Sequence, residues 1–169
     1  MAKSNEQKRS RRQEQETAKE IKGRVTPASG SRWHQKADVR SGKFLIECKT
    51  TTKDSYRLTA KAWEKIYKEA LRDGLKEPVM RIDLRTEYGD EMSFAVTAGT
   101  YVLDYLATIV TDVDCIQSIA FCEGEYGSFI IRADLVSVAT STLKVNDKLY
   151  RVTVLPWKGF LHYEQSGRG

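Results

Sequence analysis

Asp38, Glu47 and Lys49 lie within one short stretch, KADVRSGKFLIECKTT (residues 36–51), and together carry the residue types for metal-assisted phosphate chemistry. Two carboxylates supply hard oxygens of the kind Mg²⁺ prefers, and Mg²⁺ keeps several waters while binding substrate phosphate. A metal held this way acidifies a water and offsets charge on the phosphate under attack. A nearby ammonium orients the water and stabilises the developing charge. The competing reading is a surface ion pair between Glu47 and Lys49, which stabilises a strand little. The carbonyl of Cys48 lies between the two candidate groups and can complete the ligand set, while its side chain reads as a small buried apolar residue.

A hairpin has to position these groups. Residues 37–40 and 43–50 read as two strands turned at Ser41-Gly42. Strand alternation places Phe44, Ile46 and Cys48 on one face and Leu45, Glu47 and Lys49 on the other. A carboxylate ending an apolar run needs a partner once it is buried. Upstream, a helix is expected over about Arg12–Lys22, with Glu14, Ala18 and Ile21 on one face. Glu14 on the packed side is a third carboxylate candidate, with Glu16 and Glu20 on the same helix left open; an exposed first-turn glutamate is the plainer reading. GRVTPASGSRW then reads as a short strand near Val25 followed by a tight loop, whose backbone amides can approach phosphate.

Residues 59–74 form the clearest helix, with Thr59 as N-cap, Gly74 beyond its end and an apolar stripe through Trp63, Ile66 and Ala70. Strands follow at 78–84 and 92–97, and a short helix at 100–106. The order helix, strand, hairpin, helix, strand, strand, helix indicates an α/β fold, a mixed central sheet flanked by helices. We divide the chain into a basic flexible arm (1–12), a core (13–110) and a β-rich C-terminal extension (111–169), with Asn146-Asp147 as a hairpin turn.

The chain has 169 residues and a net charge of +5, unevenly spread. Residues 1–76 carry 20 Lys/Arg and 10 Asp/Glu, whereas 77–169 carry 8 and 13. A basic first half suggests a polyanion surface, with unevenly charged solvated faces as the plain alternative. Cys48, Cys115 and Cys122 have no zinc spacing and suggest a reducing compartment. No apolar signal region follows the basic N-terminus, and no stretch is long enough to span a membrane.

The segment ADV…FLIECK resembles the metal site of the PD-(D/E)XK nuclease superfamily, in which an acid on one strand is followed by Glu-x-Lys after a hydrophobic run. Asp38, Glu47 and Lys49 match that pattern; no proline precedes Asp38. Within the superfamily the chain is most similar to archaeal and phage Holliday junction resolvases, through Glu14, GRV and the Ser-Gly-Ser of residues 29–31. The resemblance covers about residues 12–106. It implies a restriction-endonuclease-like core and a cytoplasmic, nucleoid-associated homodimer, with a virus-encoded protein in a host cell as one form of this. It also implies Mg²⁺ (Mn²⁺ possible) held by Asp38, Glu47, Cys48 and Glu14, with Glu14, Asp38, Glu47 and Lys49 as the catalytic set. The expected DNA contacts are Lys8, Arg9, Arg11, Arg12, Ser29, Ser31, Arg32, His34 and Lys36; Trp33 is more readily packed than stacking. The implied activity is cleavage of branched DNA. Nucleases of flaps, ends or duplex, and a non-catalytic DNA-binding protein, are the alternatives.

Overall fold

The computed structural model describes residues 4–27, 37–98, 120–121, 127–133 and 139–166. Helix α1 spans Asn5–Glu20, and the short strands β1 (Arg24–Val25) and β2 (Val39–Arg40) follow. Next come β3 (Phe44–Thr50), β4 (Ser55–Thr59) and α2 (Ala60–Arg72). Beyond them lie β5 (Glu77–Arg85), β6 (Glu91–Ala98), β7 (Ala120–Phe121), β8 (Ser128–Arg132), β9 (Ala139–Val145), β10 (Lys148–Pro156) and α3 (Trp157–Ser166). Eight strands form one mixed sheet in the order β1-β2-β3-β5-β6-β10-β9-β7, and β4 and β8 form a separate antiparallel ribbon. β3 runs parallel to β5, whose interior is buried on both faces and is apolar except for Arg81 and Asp83, which pair with each other.

The two faces carry separate cores. On one, Leu45, Met80, Ile82 and Phe94 meet Trp63 and Ile66 of α2 and Leu58, Phe129 and Ile131 of the ribbon. On the other, Phe44, Ile46 and Cys48 meet Ala18 of α1 and Trp157 and Phe160 of α3. α2 begins where expected: Thr59 Oγ1 accepts the Ala62 N–H at 3.2 Å, and Gly74 adopts φ +76° just past the end.

Two expectations are corrected. Residues 5–12 are the first two turns of α1 and not a flexible arm. Ser4 and Gln7 close a reciprocal capping box, and Arg12–Glu16 pairs at i,i+4, so the helix forms with almost no apolar side chains. The segment after residue 111 is also not an appendage, since β10 lies between β6 and β9 and α3 covers the sheet beside α1. The boundary at 110 therefore does not separate two sheets. The expected helix at 100–106 lies outside the described residues. No helix among the described residues is long and apolar enough to cross a membrane.

The turn from α1 into β1 depends on Gly23. A Cβ there would stand 2.5 Å from the Arg40 carbonyl oxygen and 3.1 Å from Ile21 Cδ1. Gly23→Ala is expected to destabilise the protein by about 1–3 kcal/mol, read as a lower urea midpoint with unchanged slope.

Candidate active site

β2 is short, and its end creates the site. Val39 pairs with Ile46 and Arg40 with Leu45, and the ladder stops there; Asp38, one residue outside β2, sits where the Glu47 charge acts on its carboxylate. Like charges brought together on neighbouring strands repel. The backbone pins Asp38: its N–H donates to Ile46 O at 3.1 Å and its carbonyl accepts from Thr26 N at 2.8 Å. Its Oδ2 accepts the Cys48 N–H at 2.7 Å. The N–H and C=O of a strand residue face the same edge. The Cys48 carbonyl therefore faces the edge of β3 on which β2 ends.

Burial pushes the Asp38 pKa up to about 6, and Glu47 pushes in the same direction. The Cys48 N–H opposes this, Glu14 adds to it and Lys49 offsets it. Asp38 is thus a carboxyl whose ionisation the metal-free fold resists. Lys49 Nζ donates to Glu47 Oε1 at 2.7 Å, so the ion pair anticipated as the plain reading does form. It is not a simple surface pair, because the Glu47 side chain is only 12% exposed and Lys49 40%. Burial alone would lower the Lys49 pKa; the hydrogen bond and charge of Glu47, with Tyr56 and Asp38, outweigh it and hold the ammonium above its ordinary range. Cys48 is buried, and burial pushes its thiol pKa well up, as befits a core residue and not a nucleophile.

α1 docks by polar contacts, which is why its apolar stripe is so thin. Gln13 Nε2 donates to Lys49 O at 2.9 Å, and Thr17 Oγ1 donates to Gln13 O and accepts from Arg81 Nη1 at 2.9 Å. The three glutamates left open on this helix part company here. Glu20 Oε2 accepts from Arg81 Nη1 at 2.8 Å and from Trp157 Nε1 at 2.8 Å, and Glu16 lies 4.0 Å from Arg81. Glu14 is the one whose charge acts on Asp38, while its Oε1 accepts from Ser10 Oγ at 3.3 Å.

The expected DNA-contacting cations on α1 also divide. Arg9 reaches Thr51 O and Glu91, and Arg12 pairs with Glu16 and Glu91. Lys8 and Arg11 are exposed. Ser29, Ser31, Arg32, His34 and Lys36, with Trp33, lie outside the described residues. Sequence reasoning missed Tyr56, whose phenol responds to both Lys49 and Glu47, and the buried Arg81. An alternating apolar pattern at Tyr56 and Leu58 was the available signal for β4.

No protein-family model matches this chain, and no curated protein does. Among solved structures, it is similar to that of Archaeoglobus fulgidus Hjc, a Holliday junction resolvase from an archaeal hyperthermophile. The identity is 19%, the match covers 48% of this chain and 72% of the other, and the TM-score is 0.37. So partial an overlap decides neither chemistry nor substrate.

No group of three or more His, Cys, Asp or Glu side chains among the described residues forms a metal cage. Mg²⁺ needs less than that, one or two carboxylates with waters and substrate oxygens. Asp38 and Glu47 each have one oxygen in an internal hydrogen bond and a second oxygen besides, and with the Cys48 carbonyl they match that donor chemistry.

Proposed function

We propose that this protein is a Mg²⁺-dependent, structure-selective DNA endonuclease whose substrate is the four-way junction, working as a homodimer. The observation that carries the reading is Asp38 beside Glu47, two carboxylates set together in a partly desolvated corner, with the Lys49 ammonium bound to Glu47. Such an arrangement costs stability without a cation and suits a site that recruits one.

Asp38, Glu47 and the Cys48 carbonyl would hold the metal, with Glu14 beside it. A bound Mg²⁺ would neutralise the carboxylates and the phosphate and raise the acidity of a water. Asp38 keeps its orientation through the Cys48 N–H. Lys49, held protonated by Glu47, directs its N–H donors at the non-bridging oxygens or at the incoming water. Lys8 and Arg11 approach the phosphate backbone from the exposed side of α1, without base selectivity.

The test is cleavage of a synthetic four-way junction and of a linear duplex with the same arms, with Mg²⁺ and with EDTA. Junction cutting that needs Mg²⁺ and disappears in both Glu47→Ala and Lys49→Ala is the expected result. Equal cutting of the linear duplex would move the substrate away from junctions, and undiminished cutting by both variants would remove the site. Analytical ultracentrifugation checks the dimer.

A further inference from the structure

The β4–β8 ribbon has a face that the core does not use. Its register pairs Ser55 with Arg132, Arg57 with Ile130 and Thr59 with Ser128, and the intervening Leu58, Phe129 and Ile131 are buried, with Tyr56 partly so. Period-two alternation therefore turns Ser55, Arg57, Thr59, Ser128, Ile130 and Arg132 outward. Arg57, Thr59, Ile130 and Arg132 are exposed, and Arg57 Nη1 donates to Ser128 Oγ at 3.0 Å across the ribbon. These six positions hold two guanidinium groups, three hydroxyls and one isoleucine, and no carboxylate.

The ribbon also borders the candidate active site. β4 starts a few residues after β3 ends, and Tyr56, on its inner side, interacts electrostatically with Lys49 and Glu47. Arginine and hydroxyl side chains are the usual donors to nucleic-acid phosphates. A two-stranded ribbon also has the dimensions of the DNA major groove.

We propose that the outer face of the β4–β8 ribbon, centred on Arg57 and Arg132, is a DNA-backbone binding surface that guides a duplex arm to the site beside Lys49. This rests on the nuclease reading only for the identity of the polyanion. The face is distinct from α1, which carries Lys8, Arg9, Arg11 and Arg12. Its phosphate contacts hold an arm in register, while Ile130 lies against the groove wall.

The experiment measures binding of a fluorescent four-way junction, and of the duplex with the same arms, by anisotropy over a range of salt, with Ca²⁺ replacing Mg²⁺ to prevent cutting. Arg57→Ala/Arg132→Ala is expected to weaken binding to both DNAs roughly tenfold or more and to reduce the slope of log affinity against log salt by about 2. Arg57→Lys/Arg132→Lys keeps the charge and should retain most of the slope. Arg57→Glu alone, a change at an exposed position, should weaken binding further than Arg57→Ala. Melting temperatures of all variants establish that the fold is intact. Unchanged affinity and slope in the alanine pair would overturn the ribbon surface, and if the wild type still cuts junctions the nuclease reading survives. A wild type that binds through the ribbon but never cuts DNA would overturn the nuclease reading and leave the ribbon standing. A wild type that binds no DNA overturns both.

Discussion

Asp38→Asn is expected to make the metal-free protein more stable at pH 7.5 while reducing Mg²⁺-dependent cleavage by about a hundredfold to a thousandfold or more. A carboxyl with a pKa of about 6 instead of 3.8 costs the fold about 2–3 kcal/mol once ionised. The asparagine carbonyl can still accept the Cys48 N–H, so the backbone anchor remains. What disappears is the charge set against Glu47 and Glu14. The sign follows from proton binding. Between about pH 4 and pH 6 the folded protein holds the Asp38 proton more tightly than the unfolded chain does. That contribution to stability is complete below pH 4, falls as pH rises through 6, and is absent above. In EDTA, the stability gap in favour of the variant should therefore be small near pH 4 and open to about 1–2 kcal/mol by pH 7.5, a rise of a few degrees in Tm. Millimolar Mg²⁺ should raise the Tm of the wild type more than that of the variant, because only the wild type offers the full donor set. Urea titrations across pH with and without Mg²⁺ read all of this. A variant less stable than the wild type at pH 7.5 in EDTA would sink the idea of a strained carboxylate pair.

Arg81→Met is expected to cost about 3–5 kcal/mol. Arg81 is 4% exposed and lies in the core between the sheet, α1 and α3. Its Nε donates to Asp83 Oδ1 at 3.2 Å, its Nη1 reaches Thr17 and Glu20, and its guanidinium lies over the Trp157 ring at 4.8 Å. Methionine fills similar volume but leaves Asp83, 2% exposed, without its ionic partner. Glu20 is less affected, since its side chain is 37% exposed and water can replace the arginine. Arg81→Met/Asp83→Leu should recover most of the loss, because removing both charges leaves no uncompensated ion. Denaturant unfolding followed through Trp157 fluorescence checks both variants. A single substitution costing under about 1 kcal/mol, or a double variant no better than the single, would show that the network carries little energy.

The candidate site was legible where its signal is local. Alternation along FLIECK is a property of any strand, so Glu47 and Lys49 had to share a face and Cys48 had to turn into the core, as it does. Thr59 and Gly74 bounded α2 for equally local reasons, an oxygen to cap the first turn and a residue free to take positive φ. The start of α1 was missed because its helix-forming content is polar and its docking face is built from Gln13, Thr17 and the Arg81 network. Periodicity of apolar residues cannot detect a helix that packs through hydrogen bonds. The β4 strand and the helix α3 were missed as well, since each is short and adjoins a stronger element.

By itself, then, the sequence determined the hairpin that carries Asp38 and Glu-x-Lys and the side chains that β3 presents to each face. These follow from backbone geometry repeated every two residues. Only the tertiary structure decided which glutamate of α1 acts on Asp38, because Arg81 and Trp157, far along the chain, claim Glu20, and Arg81 lies beside Glu16. It also decided that β10 completes the sheet and that Arg9 and Arg12 turn to Glu91. Those outcomes depend on contacts between segments more than fifty residues apart, and no local spacing encodes them.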